Sequence, residues 1–324
     1  MPSIARRRAL AAGASALLLP SVARAQAWPS GPVTLVVGYA AGGGSDINAR
    51  ELAQILSPLI GQQAIVDNKG GAAGSLGVRT VASAKPDGQT LFYAVGTNVV
   101  INPHVQKGMI DTIAALAPIC QTTSYQYVLA VNPKVPANTA AELVALAKKE
   151  PDKLTFSSSG VGGNNHLAGA LFAQATGIQI THVPYKGTGP ALADVIAGQI
   201  TMNFSSLPPA VGQIKAGNLK ALAVTGEKRV SALPDVPTLK EQGIDVVVTG
   251  WHGLFAPARA PAEVLDKVEV AVKQAMKDAK WEAALAKDGL EPPTDRSRAH
   301  FARFVADEHA FWGRKLKELK IEME

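Results

Sequence analysis

Residues 32–50 read PVTLVVGYAAGGGSDINAR, and this stretch passes from an apolar run to a glycine-rich turn and then to a helical pattern. The β-branched run at 32–39, with proline near its start, predicts a buried strand. The segment AAGGGSD at 40–46 predicts a turn. Apolar side chains then recur at helical spacing up to residue 60: Ile47, Leu52, Ile55, Leu56 and Leu59. Strand, glycine loop and helix in this order indicate a parallel α/β unit.

The same alternation continues along most of the chain. We predict further strands at 63–67, 89–94, 127–131, 154–157, 181–184, 200–204, 221–224 and 246–249. We predict further helices at 78–84, 139–149, 165–175, 189–197, 262–277, 281–287 and 298–319. Two similar α/β halves favour two lobes around a ligand cleft. One large doubly wound sheet is an alternative that composition leaves open.

Composition indicates a folded globular protein. The chain has 324 residues, of which 47% are hydrophobic and 18% charged, and this length suggests two domains. A single cysteine, Cys120, excludes an intramolecular disulfide and a thiolate zinc cluster. The net charge is +6, but four of the positive charges lie in the first 25 residues, which contain no acid. The remaining charge of +2 is scattered, so we predict no nucleic-acid partner.

The first 25 residues have the pattern of an export signal. Residues 1–8 are basic, and residues 9–19 are apolar and uncharged. This run is too short to span a bilayer as a helix, which takes about 20 residues. Ala23, Arg24 and Ala25 form an A-x-A site, so we predict cleavage after Ala25 and a periplasmic product. Arg7 and Arg8 also resemble a twin-arginine signal, which leaves the export route, Sec or Tat, open.

Three glycine-rich loops join a predicted strand to a predicted helix. They occupy residues 42–46, 157–164 and 185–190. In open parallel sheets, ligands bind where strand ends meet helix N-termini. Backbone N–H groups there favour an anion. No Walker loop is present, and the pattern G-x-G-x-x-G that begins at Gly160 fails at Asn165. These loops therefore predict a carboxylate site rather than a nucleotide site.

The sequence has few of the motifs that are typical of catalytic sites. The sequence has no G-x-S-x-G or H-E-x-x-H motif, and its six histidines are dispersed. We therefore predict a protein that is not an enzyme, without catalytic residue, metal or cofactor. An exported hydrolase with Ser45 or Ser158 as nucleophile, served by His166, is the alternative. Asp46 and His166 could contact a ligand or merely cap their helices.

Several stretches resemble the solute-binding receptors of tripartite tricarboxylate transporters, the Bug or TctC-like family. The resemblance covers nearly the whole mature chain in family order. The matching segments are PVTLVVGYAAGGGSDINAR at 32–50, KPDGQT at 85–90, INP at 101–103, LTFSSSGVGGNNHL at 154–167, HVPYKGTGPAL at 182–192, IKAG at 214–217, LKALAV at 219–224, LPDVPTLKE at 233–241 and WHGLFAP at 251–257.

This resemblance implies a two-lobed type II periplasmic-binding-protein fold. Residues 28–124 and 250–324 would form lobe one, and residues 125–249 would form lobe two. The implied function is capture of a small carboxylate, such as a di- or tricarboxylate or an aromatic acid, by a monomeric receptor. The receptor would deliver the ligand to the membrane permease subunits of the transporter. A sensor that uses the same pocket is a further alternative.

The implied binding loops coincide with the three glycine-rich loops, and the turn at Thr97 and Asn98 adds a further wall. We expect the following residues to contact the ligand: Tyr39, Ala41, Gly42, Gly43, Ser45, Asp46, Thr97, Asn98, Ser158, Ser159, Gly160, Asn164, His166, Lys186, Gly187, Thr188, Gly189 and Ser205. Thr201 and Ser205 stand where relatives often carry Asp. If Ser205 faces the cleft, the missing carboxylate disfavours a ligand that bears an amine.

Overall fold

The computed structural model describes residues 28–106 and 108–319, and the predicted export signal at 1–25 lies outside them. The strands in this part of the chain are β1 (Val33–Val37), β2 (Ala64–Asn68), β3 (Thr90–Val95), β4 (Leu116–Val131), β5 (Thr155–Ser158), β6 (Thr181–Pro184), β7 (Met202–Ser206), β8 (Lys220–Val224) and β9 (Thr249–Pro257).

The α-helices in the same part are α1 (Gly44–Ile60), α2 (Ser75–Ala82), α3 (Gly96–Val100), α4 (Asn102–Val105), α5 (Thr112–Ala115), α6 (Ala140–Lys149), α7 (Asn164–Thr176), α8 (Thr188–Ile196), α9 (Leu207–Lys215), α10 (Ala262–Ala275), α11 (Ala279–Asp288) and α12 (Arg298–Leu319). None of these described helices is both long and apolar enough to cross a membrane.

The strands form a mixed sheet with the order β2-β1-β3-β9-β4-β7-β5-β6, and β8 also pairs with β4. Two parallel segments, β2-β1-β3 and β7-β5-β6, flank the antiparallel pair formed by β9 and β4. We call the part built on β1–β3 and β9 lobe one, and the part built on β5–β8 lobe two. The fold is therefore the expected two-lobed α/β architecture, with antiparallel strands at its centre.

Strand β4 joins the two lobes. Its first part pairs with β9 as far as Gln126, opposite Thr249. From Tyr127, opposite Ser206, it pairs with β7 instead. This change of partner falls two residues after the predicted lobe boundary at 124/125, which itself stays a prediction.

Buried helix faces hold each parallel segment in place. In α1 the side chains of Leu52 and Leu56 are fully buried, and they share one apolar cluster with Leu35 of β1. Burial of a leucine side chain stabilises a fold by about 1.5–3 kcal/mol. The helical period found in the sequence therefore sets the orientation of α1, whose N-terminus follows the loop after β1.

The sequence misjudged some elements. The strand predicted at 246–249 is wrong: the strand begins at Thr249 and continues to Pro257. Val248, just before it, donates its N–H to the carbonyl of Thr225 and accepts from Thr225 Oγ1 through its own carbonyl. The N-terminal part of β4 was missed because Pro118 and the polar run Gln121–Ser124 interrupt the apolar pattern. Helix α9 was missed because it opens with two prolines, which suit the first turn of a helix. Thr97 and Asn98 lie in the short helix α3, not in a turn.

Candidate functional site

The loop between β1 and α1 is held by its own side chains. Gly42 adopts a left-handed φ of 83°, which favours glycine. Its N–H donates to Asp46 Oδ2 at 2.9 Å, and Arg50 binds Asp46 Oδ1 at 2.9 Å. Burial raises the pKa of Asp46, but the hydrogen bonds from Arg50 and Gly42 outweigh it and leave this pKa below its usual value. Asp46 therefore stabilises the loop as an anion.

A second loop of lobe one is fixed through a single carbonyl oxygen, that of Ala73. It accepts hydrogen bonds from Tyr39 Oη at 3.0 Å, Asn98 Nδ2 at 2.7 Å and Asn102 Nδ2 at 2.8 Å. Asn98 Nδ2 also donates to Tyr39 Oη at 2.8 Å. Asn98 therefore positions the wall of the cleft by holding Tyr39 and Ala73 together.

In lobe two, the loop between β5 and α7 is organised by the first residues of that helix. Asn165 Oδ1 accepts from Ser159 N at 3.1 Å and from Ser159 Oγ at 2.9 Å. His166 Nδ1 accepts from Gly162 N at 3.3 Å. His166 therefore holds the loop that precedes its own helix, and contact of this residue with a ligand stays a prediction.

The loops of the two lobes contact each other. Ala40 N donates to the carbonyl of Lys186 at 2.9 Å, and Gln106 Nε2 donates to the carbonyl of Val161 at 3.3 Å. An added Cβ at Gly189 would lie 2.8 Å from the carbonyl oxygen of Ala41. The structure is therefore a closed form, in which the glycines allow close approach of the two backbones.

Between the closed lobes lies a small cavity of about 30 Å³. Its lining residues come from both lobes: Tyr39, Gly43, Gly44, Ser45, Val95, Thr97, Tyr125, Tyr127, Ser159, Asn164, Asn165, Thr188, Ser206 and His252. Among the described residues, no carboxylate, lysine or arginine lines it. A charged ligand would meet hydroxyl, amide, imidazole and backbone groups only.

Three helices with glycine N-caps reach this cavity with their N-termini. Helix α1 comes from lobe one, and helices α7 and α8 come from lobe two; their N-caps are Gly43, Gly163 and Gly187. None of these glycines provides a side-chain cap. The first N–H groups of a helix have no partner within the helix, and the helix dipole favours a negative charge beside them. The arrangement is therefore suited to an anion.

Two lining side chains have buried polar atoms without a partner. They are Thr97 Oγ1 and Asn165 Nδ2, in residues that are 1% and 2% exposed. Because buried polar groups are nearly always hydrogen-bonded, both atoms are available to a bound molecule. An anion in such a site would be stabilised by donated hydrogen bonds rather than by an ion pair.

His252 and two tyrosines form one wall of the cavity. His252 Nδ1 lies 2.9 Å from Thr123 Oγ1, and the imidazole stacks on the Tyr125 ring with centroids 4.6 Å apart. Burial lowers the pKa of His252 to about 3, so the ring is neutral near pH 7. Burial also raises the pKa of Tyr127 to about 12, so its phenol keeps its proton. This wall offers neutral hydrogen-bonding groups.

Some of the predicted site residues line the cavity and others do not. Those that line it are Tyr39, Gly43, Ser45, Thr97, Ser159, Asn164 and Thr188. Those that do not line it are Ala41, Gly42, Asp46, Asn98, Ser158, Gly160, His166, Lys186, Gly187, Gly189 and Ser205. The side chain of Lys186 is exposed, whereas Ser205 is fully buried in β7 and donates to the carbonyl of Ser206.

Sequence reasoning missed several lining residues: Gly44, Val95, Tyr125, Tyr127, Asn165, Ser206 and His252. Ser206 ends strand β7, and the rule that ligands bind at strand ends could have found it. Tyr125 and Tyr127 alternate along β4, and His252 lies on β9 beside them. These positions depend on the antiparallel centre of the sheet, which the sequence did not reveal.

Residues 48–321 match the family model described as "Tripartite tricarboxylate transporter family receptor". A protein of Agrobacterium vitis, "UPF0065 protein in the TAR-I ttuE-ttuC' intergenic region", is 41% identical over 269 residues, which is 82% of this chain and 77% of that protein. "Protein BugT" of Bordetella pertussis is 30% identical, with 91% of each chain covered.

Solved structures agree with these matches. "Structure of periplasmic binding protein BugD" has a TM-score of 0.88 at 32% identity, covering 92% of this chain and 100% of that chain. "R. palustris Rpa4515 with adipate" has a TM-score of 0.85 at 31% identity, with 90% and 97% covered. "MatC (Rpa3494) from Rhodopseudomonas palustris with bound malate" has a TM-score of 0.84 at 27% identity, with 89% and 99% covered.

Proposed function

Because the chain belongs to the tripartite tricarboxylate transporter receptor family, we propose that it captures a small carboxylate outside the cytoplasm and delivers it to a membrane permease. One observation supports a carboxylate as the ligand class: three glycine-capped helix N-termini converge on one cavity that no charged side chain lines, among the described residues. A carboxylate is an anion that such donors can satisfy without a charged side chain.

The comparisons support this choice of ligand class. Two similar structures hold adipate and malate, and both molecules are dicarboxylates. Two-lobed receptors bind by closure, since a ligand gripped from both sides completes its contacts only when the lobes meet. The contacts between Ala40 and Lys186, and between Gln106 and Val161, provide such a closed form. The ligand residues we propose are the lining residues together with the predicted glycine loops.

We also propose that the protein acts in the periplasm after removal of residues 1–25. Support comes from the signal pattern in the sequence and from the description of BugD as a periplasmic binding protein. The two lobes would be divided as the sequence suggested, at 124/125 and 249/250, close to the change of strand partner in β4.

One hydrogen-bond contact in the structure favours the hydrolase alternative, but the receptor function has more support. Ser158 Oγ lies 2.6 Å from His182 Nε2, a distance that suits a nucleophile and its base. However, Ser158 is fully buried, does not line the cavity, and its Oγ also contacts both N and O of Gly160. His182 stacks on His166, with ring centroids 4.0 Å apart, rather than on an acid. The contact supports a structural role for Ser158. A sensor would use the same pocket and differs only in its membrane partner.

The test is a binding screen with the protein purified from the periplasmic fraction of expressing cells. The acids are succinate, malate, adipate, citrate and benzoate, and succinamide serves as the uncharged match to succinate. A ligand at 100 times its dissociation constant raises the free energy of unfolding by about 2.7 kcal/mol. We expect at least one acid to stabilise the protein and succinamide to have no effect. Stabilisation by no acid, or equal stabilisation by succinamide, would refute the proposal, and turnover of carboxylic esters would favour the hydrolase.

A further inference from the structure

In the described part of the chain, the two crossings between the lobes lie side by side. Strand β4 changes its pairing partner after Gln126, and the chain returns to lobe one at Thr249, where β9 begins. Gln126 and Thr249 are paired with each other in the sheet. A rotation of one lobe relative to the other therefore occurs about this pair. We call residues 124–126 and 249–251 the hinge.

The hinge strands separate two spaces. Tyr127 and His252 line the small cavity. Ser124, Gln126 and Trp251 line a groove of about 860 Å³. Because successive side chains of a strand point to opposite faces of the sheet, the groove lies on the other face of the hinge from the cavity. Three residues at the boundary line both spaces: Thr97, Tyr125 and Asn164.

Rotation about the hinge changes the two spaces in opposite directions, because they lie on opposite sides of it. In this closed form the cavity measures about 30 Å³ and the groove about 860 Å³. Opening would separate Ala40 from Lys186, whose backbones are hydrogen-bonded in the closed form. The same rotation would bring the walls of the groove together. In the open form, each wall of the groove is therefore covered by the other wall.

The groove has apolar side chains from both lobes. Helix α12 belongs to lobe one, since its Phe301 is buried in one cluster with Phe92 of β3. Phe311 of the same helix lines the groove and is 45% exposed. Val247 lines the groove from lobe two, where the N–H of the next residue donates to the carbonyl of Thr225, and it is 38% exposed. A narrower groove would remove this apolar surface from water, which is favourable.

The charges along the groove do not oppose this approach of its walls. Side chains of both signs line it: Glu227, Lys228, Glu291, Glu308 and Lys315. Glu227 is paired with Lys240 at 3.0 Å, and Glu308 Oε2 accepts from Trp312 Nε1 at 3.3 Å. Charges of mixed sign, two of them already partnered, provide no strong repulsion between the walls.

Resting on the proposed function, we infer that an apolar contact across the groove holds the lobes open in the empty receptor. In this contact Phe311 of lobe one meets Val247 of lobe two, and closure around a ligand separates them. Both are positioning residues, since neither lines the cavity. Their contact weakens ligand binding, because it lowers the population of the closed form that binds.

The test measures the radius of gyration of the ligand-free protein by small-angle scattering, and the dissociation constant for malate by calorimetry. The variants are Phe311→Ala, Val247→Ala and Val247→Asp. The aspartate stays in water in the closed form but would lose its hydration in the open contact. We expect each variant to be more compact than the ligand-free wild type and to bind malate about fivefold more tightly. Val270→Ala and Val270→Asp, at an exposed position of α10 that does not line the groove, are the matched controls and should behave as the wild type does.

A double variant shows whether the two side chains act through one contact. Phe311→Ala combined with Val247→Ala should gain less affinity than the product of the two single gains, because the first substitution already removes the contact. Gains that multiply fully would mean that the two residues act independently, and this would contradict the contact.

The outcomes separate this inference from the proposed function. An unchanged radius of gyration in all three single variants, or weaker binding of malate, would overturn the contact and leave carboxylate capture standing. Stabilisation of the wild type by no acid in the screen would refute the proposed function, while the ligand-free scattering still decides on the contact. Variants that keep the wild-type radius and affinity but fail to support uptake would make the groove a surface for a protein partner, and this also overturns the inference.

Discussion

The N–H of Ala40 donates a 2.9 Å hydrogen bond to the carbonyl of Lys186, and this bond links a glycine-rich loop of lobe one to one of lobe two. Both groups belong to the backbone, so the contact does not depend on side-chain identity. It depends on how closely the two loops approach, and the neighbouring glycines set that distance. The closed form is therefore sensitive to single added carbon atoms.

Gly189→Ala should hinder closure. The added Cβ would lie 2.8 Å from the carbonyl oxygen of Ala41 and 3.1 Å from the carbonyl carbon of Gly42, both backbone atoms that cannot rotate away. Overpacking of this kind costs about 1–3 kcal/mol, which corresponds to about a 5- to 150-fold loss of affinity. Small-angle scattering should show a larger radius of gyration with saturating ligand than the wild type has. Gly212→Ala, where an added Cβ meets nothing within 4 Å, is the control. Wild-type affinity in Gly189→Ala would contradict the closure model.

Thr97→Val should weaken binding of the carboxylate. Thr97 Oγ1 is buried without a protein partner, and the substitution removes that hydroxyl while keeping the shape of the side chain. A hydrogen bond to a charged group contributes about 1.5–3 kcal/mol. Calorimetric titration with the best acid from the screen measures the loss. Thr80→Val, at a half-buried position on α2 that does not line the cavity, should bind as the wild type does. Equal affinity in Thr97→Val would place the ligand away from this hydroxyl.

Stability should fall as the pH is lowered below about 6.5, and His252 should account for part of that fall. Burial holds the pKa of His252 at about 3 in the folded protein, against 6.5 for an ordinary histidine. The unfolded chain therefore binds a proton between these values while the folded protein does not. This contribution to stability is complete above pH 6.5 and is lost progressively as the pH falls towards 3.

Urea unfolding at several pH values from 7.5 to 4 tests the contribution of His252 to this pH dependence. His252→Gln has no proton to take up, so its free energy of unfolding should depend less steeply on pH than that of the wild type. His182, whose pKa burial lowers to about 4, should contribute in the same direction in both proteins. If the free energy of unfolding depends on pH equally in both proteins, the pKa of His252 is not lowered in the folded protein.

The export signal should be cleaved between Ala25 and Gln26. The motivation is the A-x-A site at 23–25 after a short apolar run. Mass spectrometry of the periplasmic protein should find Gln26 as the first residue. A protein that starts at Gln26 should unfold at the same temperature as the exported one, because residues 1–25 supply no core pattern. A periplasmic protein that retains residues 1–25 would refute the signal assignment, and replacement of Arg7 and Arg8 by Lys would separate the two export routes.

The family, the two-lobed α/β architecture and most of the helices and parallel strands could be predicted from the sequence alone. These features follow from local patterns, since hydrophobic periodicity, glycine and capping residues act within a few positions of one another. The loop after β1 is an example: the strand, the left-handed Gly42 and helix α1 all lie where residues 32–60 indicated. Three glycine-rich loops could be identified for the same reason.

Which side chains reach the cavity could not be predicted before the strands were placed in the sheet. His252 of β9 lies beside Tyr125 of β4 because these strands are antiparallel neighbours, although the two residues are far apart in the chain. Ser206 lines the cavity while Ser205, the next residue, is buried on the opposite side of β7, because successive side chains of a strand point to opposite faces. Such choices depend on which strands pair over long sequence distances and on the register of that pairing, which a single stretch of sequence does not specify.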